Sequence, residues 1–138
     1  MPLSEAQRET FLREARVAAL GTVGADGTPH VVPVWYEYAG GRFYLISGSG
    51  AAKARHIRQG SRASLCIDDR TAPYKAVVVW GKASISEEGV REMAHRIAQR
   101  YLGPEEGAKE AETWLAAPCV VIEVTPERLI SWDYAQGG

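Results

Sequence analysis

Two serines and a lysine near the start of a predicted helix are the residues whose types and spacing best fit anion binding. Ser47 and Ser49 follow a predicted strand, and Lys53 lies one turn into a helix predicted over residues 50–59. Free backbone N–H groups at a helix start, hydroxyl donors and a lysine are the groups that hold a phosphate. The segment is not a P-loop, because no GxxxxGK sequence followed by Ser or Thr is present. The alternative is a solvated basic helix face.

Three arginines follow on the same segment, and no acidic residue accompanies them. They are Arg55, Arg58 and Arg62, and residues 38–67 contain no Asp or Glu although the net charge of the chain is only −1. A local positive field on a near-neutral protein favours an anionic ligand over general nucleic-acid binding. Residues 48–62 also lack Phe, Tyr and Trp, on which bases stack, so we expect no nucleic-acid partner.

The predicted strand at residues 28–38 is the second candidate, because it contains Pro33. Proline donates no ladder hydrogen bond and belongs at a sheet edge or a bulge. A planar ligand with polar edges can use backbone groups that the sheet leaves unpaired there. The alternative is an edge proline that faces water. Among the aromatic residues nearby, Trp35 is a candidate wall for a bound ring, whereas most of the others are expected in the core or at a subunit interface.

No self-sufficient catalytic or metal-binding constellation accompanies these segments. His30, His56 and His95 share no metal-ligand spacing with one another or with Cys66 and Cys119. Neither a GxSxG motif nor paired carboxylates in an apolar run are present. We therefore predict that a bound cofactor supplies the chemistry, while the protein supplies binding, orientation and electrostatics. No catalytic residue is assigned and no metal is expected.

Composition and length limit the classes of protein that remain. The 138 residues predict one domain over residues 1–138, large enough to bury a core. A hydrophobic content of 46% and a charged content of 24% are typical of soluble globular proteins. No stretch reaches the length of a membrane span, and the two cysteines have no paired spacing, so we expect a cytoplasmic protein with no membrane partner.

Short turns between apolar runs indicate how these candidates are positioned. Turns at residues 24–27 and 39–41 predict an antiparallel meander. Residues 120–124 and 129–132 are predicted as two short strands around Pro126. Six or seven strands with interspersed helices predict an α+β, mainly β fold built on a small closed or half-closed barrel.

Three motifs in order make the chain similar to a known family. They are LGTVGADGTPHVVPVWYEY, RFYLISGSGAAKARHIRQGSRASLCIDD and YKAVVVWGKASI. They resemble the flavin and deazaflavin split-barrel proteins, the pyridoxamine-phosphate-oxidase-like group, over roughly residues 10–134. The resemblance implies a six-stranded antiparallel split β-barrel with peripheral helices. It also implies a homodimer with cofactor sites at the subunit interface.

The same resemblance implies which residues contact the cofactor. The strand along which the tricyclic ring lies corresponds to residues 31–36, and the phosphate-binding lysine corresponds to Lys53. Lys75 and Ala76 correspond to a strand that often reaches the cofactor from the second subunit. The implied contact set is Val31, Val32, Pro33, Val34, Trp35, Tyr36, Ile46, Ser47, Ser49, Lys53, Arg55, Lys75 and Ala76.

Two departures from the family's oxidases bear on the activity. Ala52 stands where the FMN-binding oxidases usually have an arginine, and the end of the chain, ERLISWDYAQGG, lacks their substrate signature. Both make vitamin B6 oxidation an unexpected activity. Compact chains with DGTPHVVPVW and a WGKA strand look more like the branch that uses coenzyme F420. That coenzyme carries a phosphodiester and a polyglutamate chain, which the basic residues Arg55 and Arg58 complement.

We therefore expect an F420-dependent oxidoreductase that transfers a hydride from the reduced cofactor to an unsaturated small organic substrate. The alternatives are an FMN-dependent oxidoreductase similar to pyridoxamine phosphate oxidase and a non-catalytic flavin or F420 carrier. Substrate walls are expected at residues 69–73 and after Leu129.

Overall fold

A single antiparallel sheet with four α-helices forms the fold in a computed structural model that describes residues 2–136. The strands are ordered β2-β1-β5-β6-β7-β4-β3, so β2 and β3 are its edges and the sheet does not close. No described helix is long and apolar enough to cross a membrane. The elements are α1 (Glu5–Arg13), β1 (Ala18–Val23), β2 (Pro29–Val34), β3 (Glu37–Ala39), β4 (Arg42–Gly48), α2 (Ala52–Gly60), β5 (Arg62–Asp69), β6 (Lys75–Ser86), α3 (Val90–Leu102), α4 (Pro104–Leu115) and β7 (Cys119–Asp133).

The predicted α+β, mainly β split-barrel architecture is confirmed; the described residues form seven strands, where the residue patterns predicted six or seven and the resemblance implied six. The extra strand arises because the predicted strand at residues 28–38 is interrupted after Val34. The Tyr36 N–H donates to the Tyr101 hydroxyl at 3.1 Å, and the Tyr36 carbonyl accepts from Arg100. Side chains of α3 thus satisfy backbone groups that would otherwise need a sheet ladder, and the chain can turn there.

The two short strands predicted around Pro126 are one strand, β7, which corrects that prediction. Pro126 lies opposite Gly81, where the pairing of β6 with β7 shifts register after Trp80. A Cβ atom at Gly81 would collide with the Thr125 carbonyl oxygen. The irregularity therefore accommodates a proline inside a long strand, and only glycine fits opposite it.

The hydrophobic core lies on the inner face of the sheet, where α1 and α2 pack. Leu20, Leu65 and Val77 of the sheet are buried there together with Leu12 of α1 and Ile57 of α2. The start of α1 is fixed by a capping box, in which the Ser4 hydroxyl accepts the Gln7 N–H and the Gln7 side chain accepts the Ser4 N–H. This packing holds the start of α2 beside the end of β4.

The outer face of the sheet is divided into two parts. Helix α3 covers β4 and the first half of β7, with Met93 and Ile97 packed on Val121. Strand register places a second set of outward side chains on β2, β1, β5, β6 and the second half of β7. We call this set the bare face; its most exposed apolar members are Val23, Val31, Trp80 and Ile130.

Candidate functional site

A cleft of about 590 Å³ lies where the ends of β2 and β4 and the start of α2 meet α3 and α4. We call it the first cleft. Most of its lining is apolar, which suits a flat organic ring. Six of the predicted cofactor residues line it: Pro33, Val34, Trp35, Ile46, Ser47 and Lys53.

Lys53 is the cationic side chain of this cleft. It is half-buried in the first turn of α2 and forms no ion pair with any residue in the range 2–136. Burial lowers the pKa of its ammonium group. The residue preceding the helix, Ala51, gives no side-chain cap, so backbone N–H groups of the first turn remain available. An ammonium that is partly removed from water without a counter-charge is stabilised when an anion binds beside it.

The two serines stabilise the loop between β4 and α2. Ser47 is 2% exposed, and its hydroxyl donates to the Gly48 carbonyl at 2.8 Å. The Ser49 N–H donates to the Pro118 carbonyl at 2.9 Å. Ser47 lines the first cleft, whereas Ser49 lies outside its walls.

The arginines of the basic segment are bonded to protein groups. Arg55 donates to the Gly50 carbonyl at 2.7 Å, and Arg58 donates to the Ser49 carbonyl at 2.6 Å. Arg62 pairs with the Glu127 carboxylate at 2.6 Å. None of the three lines the first cleft. The basic segment thus contributes one cation to the first cleft, Lys53, and three arginines whose side chains bond to the loop before α2 or to β7.

Trp114 of α4 forms a wall of the first cleft that the sequence did not predict, and Tyr101 of α3 supports the predicted wall residue Trp35 without lining the cleft itself. The Trp35 ring stacks on Tyr101 with centroids 4.5 Å apart and planes at 3°. Trp114 meets Trp35 edge-on at 5.9 Å, and its indole Nε1 donates to the Glu110 carboxylate at 3.0 Å. Glu110, Trp114 and Ile97 all line the cleft. The only signal in the sequence was the i, i+4 spacing of Glu110 and Trp114 on a predicted helix.

Tyr36 is in the core, and its side chain is not part of the cleft. It is 0% exposed, and its hydroxyl donates to the Leu12 carbonyl at 3.0 Å. Burial raises the pKa of Tyr36 to about 12. The resemblance placed Tyr36 on a continuous strand over residues 31–36, but strand β2 ends at Val34 and the Tyr36 side chain is buried in the core.

The remaining predicted contacts lie elsewhere on the chain. Val31 and Val32 line a second cleft, which shares Pro33 with the first. Pro33 is on the edge strand β2, as a proline within a sheet requires. Lys75 lines a separate cleft against α1, and Ala76 is buried. Neither lines the first cleft of its own chain.

The chain is similar to several known proteins. A family model described as pyridoxamine 5′-phosphate oxidase matches residues 4–133. A 5a,11a-dehydrotetracycline/5a,11a-dehydrooxytetracycline reductase of Streptomyces rimosus is 27% identical over 140 residues, which are 96% of this chain and 84% of that protein. A biliverdin reductase of Mycobacterium tuberculosis, named as dependent on reduced F420, is 29% identical over 124 residues, 87% and 82% of the two chains. The crystal structure of a conserved hypothetical protein from Mycobacterium tuberculosis has a TM-score of 0.86 at 27% identity, covering 99% of this chain and 88% of that one.

Proposed function

The chain belongs to the pyridoxamine 5′-phosphate oxidase family, and from that membership we propose that it is an oxidoreductase that binds coenzyme F420 in the first cleft. When bound in reduced form, this cofactor supplies a hydride to an unsaturated small organic substrate. Both curated relatives are named as reductases, and one is named as dependent on reduced F420. The observation that carries the proposal is Lys53, a half-buried ammonium without a carboxylate partner at the end of an apolar cleft.

The residues present fit such a cofactor in charge and in shape. Lys53 and the free N–H groups at the start of α2 hold the phosphodiester. Pro33, Val34 and Trp35 offer an apolar surface to the ring. Ser47 shapes the loop between them through its bond to the next residue. The protein's own contribution is therefore binding and orientation, with water excluded from one side of the ring.

FMN is the alternative cofactor, because it also carries a phosphate that Lys53 would hold. Ala52 and the relative that depends on reduced F420 favour the deazaflavin. The second alternative is not an enzyme but a carrier protein, which would bind flavin or F420 in the same cleft without catalysing a reaction.

We further propose a homodimer formed through the bare face. Val31 is 68% exposed and Ile130 is 41% exposed, and both belong to one continuous outward surface of the sheet. Contiguous exposed apolar surface on a sheet marks an interface between proteins. Of the two residues that the resemblance assigns to the partner's cofactor, Ala76 has the outward register of this surface, whereas Lys75 lines the cleft against α1 on the inner side; only Ala76 would approach the partner through this interface. The two free cysteines fit a reducing compartment, so we propose a cytoplasmic location.

Cofactor titrations test the proposal. The protein is titrated separately with F420 and with FMN by absorbance and fluorescence, and turnover is then followed by oxidation of reduced F420 with a panel of enones and quinones. We expect saturable F420 binding and turnover. Saturable FMN binding without an F420 response would exclude the deazaflavin version. Tight binding with no turnover across the panel would favour the carrier.

Lys53→Met is the matched variant, because it keeps the apolar stem and removes the charge. Lys82→Met is its control, since Lys82 is an exposed lysine that does not line the first cleft. Loss of cofactor affinity in Lys53→Met alone supports the site. Equal effects of the two variants would show that the overall charge, not this cleft, governs binding.

A further inference from the structure

Among the described residues, Glu110 is the only acidic one that lines the first cleft, and phosphate binding by Lys53 gives it no role. Glu110 and Lys53 form no ion pair with each other. Burial is the cause that lowers the pKa of Lys53, with no contribution from a carboxylate. A ligand in the cleft therefore meets the two charges at separate points. A carboxylate beside a polyanionic cofactor weakens its binding unless the carboxylate accepts a hydrogen bond from it.

Close packing of α4 against α3 fixes the main chain that carries Glu110. Gly107, three residues earlier, lies so near the backbone of Gln99 that a Cβ atom there would collide with it. Ala111, the next residue, is 0% exposed and packs with Ala98 of α3. The position of Glu110 beside the cleft is thus set by a tightly packed helix pair.

Trp114 holds the Glu110 side chain in place. Its indole Nε1 donates to Glu110 Oε1 at 3.0 Å, and its ring packs beside Met93 and Ile97 of α3. The described residues give Glu110 Oε2 no hydrogen-bond donor, and no Lys, Arg or His in the range 2–136 pairs with the carboxylate. A partly buried carboxylate with free lone pairs suits an N–H donor on a bound molecule.

The ring of the proposed cofactor offers one such donor. This is the imide N–H, which lies between the two carbonyl groups of the pyrimidine ring. The phenol at the other end of the tricycle becomes negative when it ionises, and a carboxylate would repel it. Hydroxyl groups of the chain between ring and phosphodiester are also donors. Trp114, however, meets Trp35, along which the ring is proposed to lie, so Glu110 belongs to the ring end of the cleft.

We propose that Glu110 accepts the imide N–H of the cofactor ring, and that Trp114 is the positioning residue that aims its carboxylate. This assignment rests on the proposed function, because it requires a tricyclic cofactor in the first cleft. Lys53 and Glu110 then orient the cofactor together, since the ammonium binds the phosphate and the carboxylate binds the N–H edge. The reverse orientation would bring phosphate and carboxylate together. The cleft should therefore reject tricyclic rings that lack this N–H.

The test compares two probes, the 5′-phosphate of 8-hydroxy-5-deazariboflavin and its 3-methyl derivative. Both keep a phosphate for Lys53, and only the first has the imide N–H. For the wild type we expect the methylated probe to bind about tenfold or more weakly, because a hydrogen bond to a charged group is lost. Fluorescence titration measures both affinities without turnover.

Glu110→Ala separates the hydrogen bond from the bulk of the methyl group. In this variant the two probes should bind within about threefold of each other. Glu105→Ala is the matched control, because it removes one negative charge from the exposed first turn of the same helix and does not line the cleft. It should keep the wild-type ratio of affinities. Trp114→Phe removes the indole donor and should give an intermediate ratio, which a loss of packing alone would not produce.

Three outcomes overturn the assignment while the proposed function stands. The wild type could bind both probes equally, or Glu110→Ala could keep the wild-type ratio, in which case the methyl group meets another residue. The wild type could also bind F420 but neither probe, so that the ring contributes too little. If neither F420 nor the unmethylated probe binds the wild type, the proposed function itself is contradicted. The wild-type ratio remains a test even if a variant fails to fold.

Discussion

Lys53 in the first turn of α2 and the three arginines that follow it are all positively charged, but their surroundings differ. Lys53 faces an apolar cleft and has no carboxylate partner within residues 2–136, whereas Arg55, Arg58 and Arg62 are bonded to carbonyls or to a carboxylate. The difference shows that a basic run in a sequence is not itself a binding surface. Within this segment we expect an anion to bind at Lys53, whose ammonium group is half-buried and has no partner among residues 2–136.

Removing the unbalanced charge should have the largest effect on cofactor binding. Lys53→Ala removes a charged donor to the phosphodiester, so we expect affinity for F420 to fall by about 1.5–3 kcal/mol. The thermal stability of the apo protein should change little, because no protein group loses a partner. Calorimetric titration and thermal melts measure the two quantities. If F420 affinity stayed unchanged and the melting temperature fell, Lys53 would be a structural residue, as the three arginines are.

Deprotonation of Lys53 at alkaline pH should change the cofactor affinity and the stability of the apo protein in opposite directions. Burial lowers the pKa of Lys53, so the unfolded chain holds this proton more tightly than the apo fold does. As pH rises through the folded pKa, the apo protein loses the cost of its buried ammonium, so the contribution of Lys53 to the free energy of unfolding should rise; Tyr36, whose pKa is raised to about 12, contributes the opposite trend equally in the wild type and in Lys53→Met. Over the same alkaline range, affinity for the anionic cofactor should fall because the ammonium is lost. Both trends should vanish in Lys53→Met; if they persist, another group is responsible.

Removing a bonded arginine should have a smaller, indirect effect. Arg58→Ala loses two hydrogen bonds to Ser49, at 2.6 and 3.1 Å, and loosens the loop before Lys53. We expect about 0.5–1.5 kcal/mol less stability and a loss of affinity well below that of Lys53→Ala. Hydrogen exchange of residues 48–51 should report the loosening. An affinity loss equal to that of Lys53→Ala would place Arg58 on the cofactor.

The exposed ion pair at the end of the segment should matter least. Arg62→Gln removes a pair with Glu127 whose side chains are 63% and 39% exposed. Such pairs contribute at most about 1 kcal/mol, and this one does not line the first cleft. Melting temperature and F420 affinity should therefore stay close to wild type. A measurable loss of affinity would extend the anion site beyond the first turn of α2.

Sequence reasoning was most successful where the signal was local. The capping box follows from the spacing of Ser4 and Gln7, and the edge position of Pro33 follows from the N–H that proline lacks. It failed where distant residues decide the outcome. The break after Val34 depends on Tyr101 and Arg100, side chains far along the chain that bond to the Tyr36 backbone.

The wall of the first cleft shows the same limit. Glu110 and Trp114 gave no motif, because their role depends on how α4 packs on α3 and how Trp35 stacks on Tyr101. Pairwise helix packing has no local sequence code beyond an apolar face. The position of Lys53 at the start of α2 could therefore be predicted from the sequence, whereas the shape of the cleft beside it could not.

The break between β2 and β3 has a consequence for how this chain can diversify. The Tyr36 backbone bonds to side chains of α3, so the strand pairing of β2 ends before this residue. One side of the first cleft is therefore formed by the α3–α4 helical hairpin instead of by a strand. The α3–α4 hairpin contributes no strand to the sheet. Glu110 and Trp114 of α4 line the cleft without belonging to any strand, so substitutions there would change its shape without altering strand pairing. Ligand preference can thus change through these two positions, whereas Ile97, Ala98 and Ala111 of the same hairpin are constrained by their buried packing.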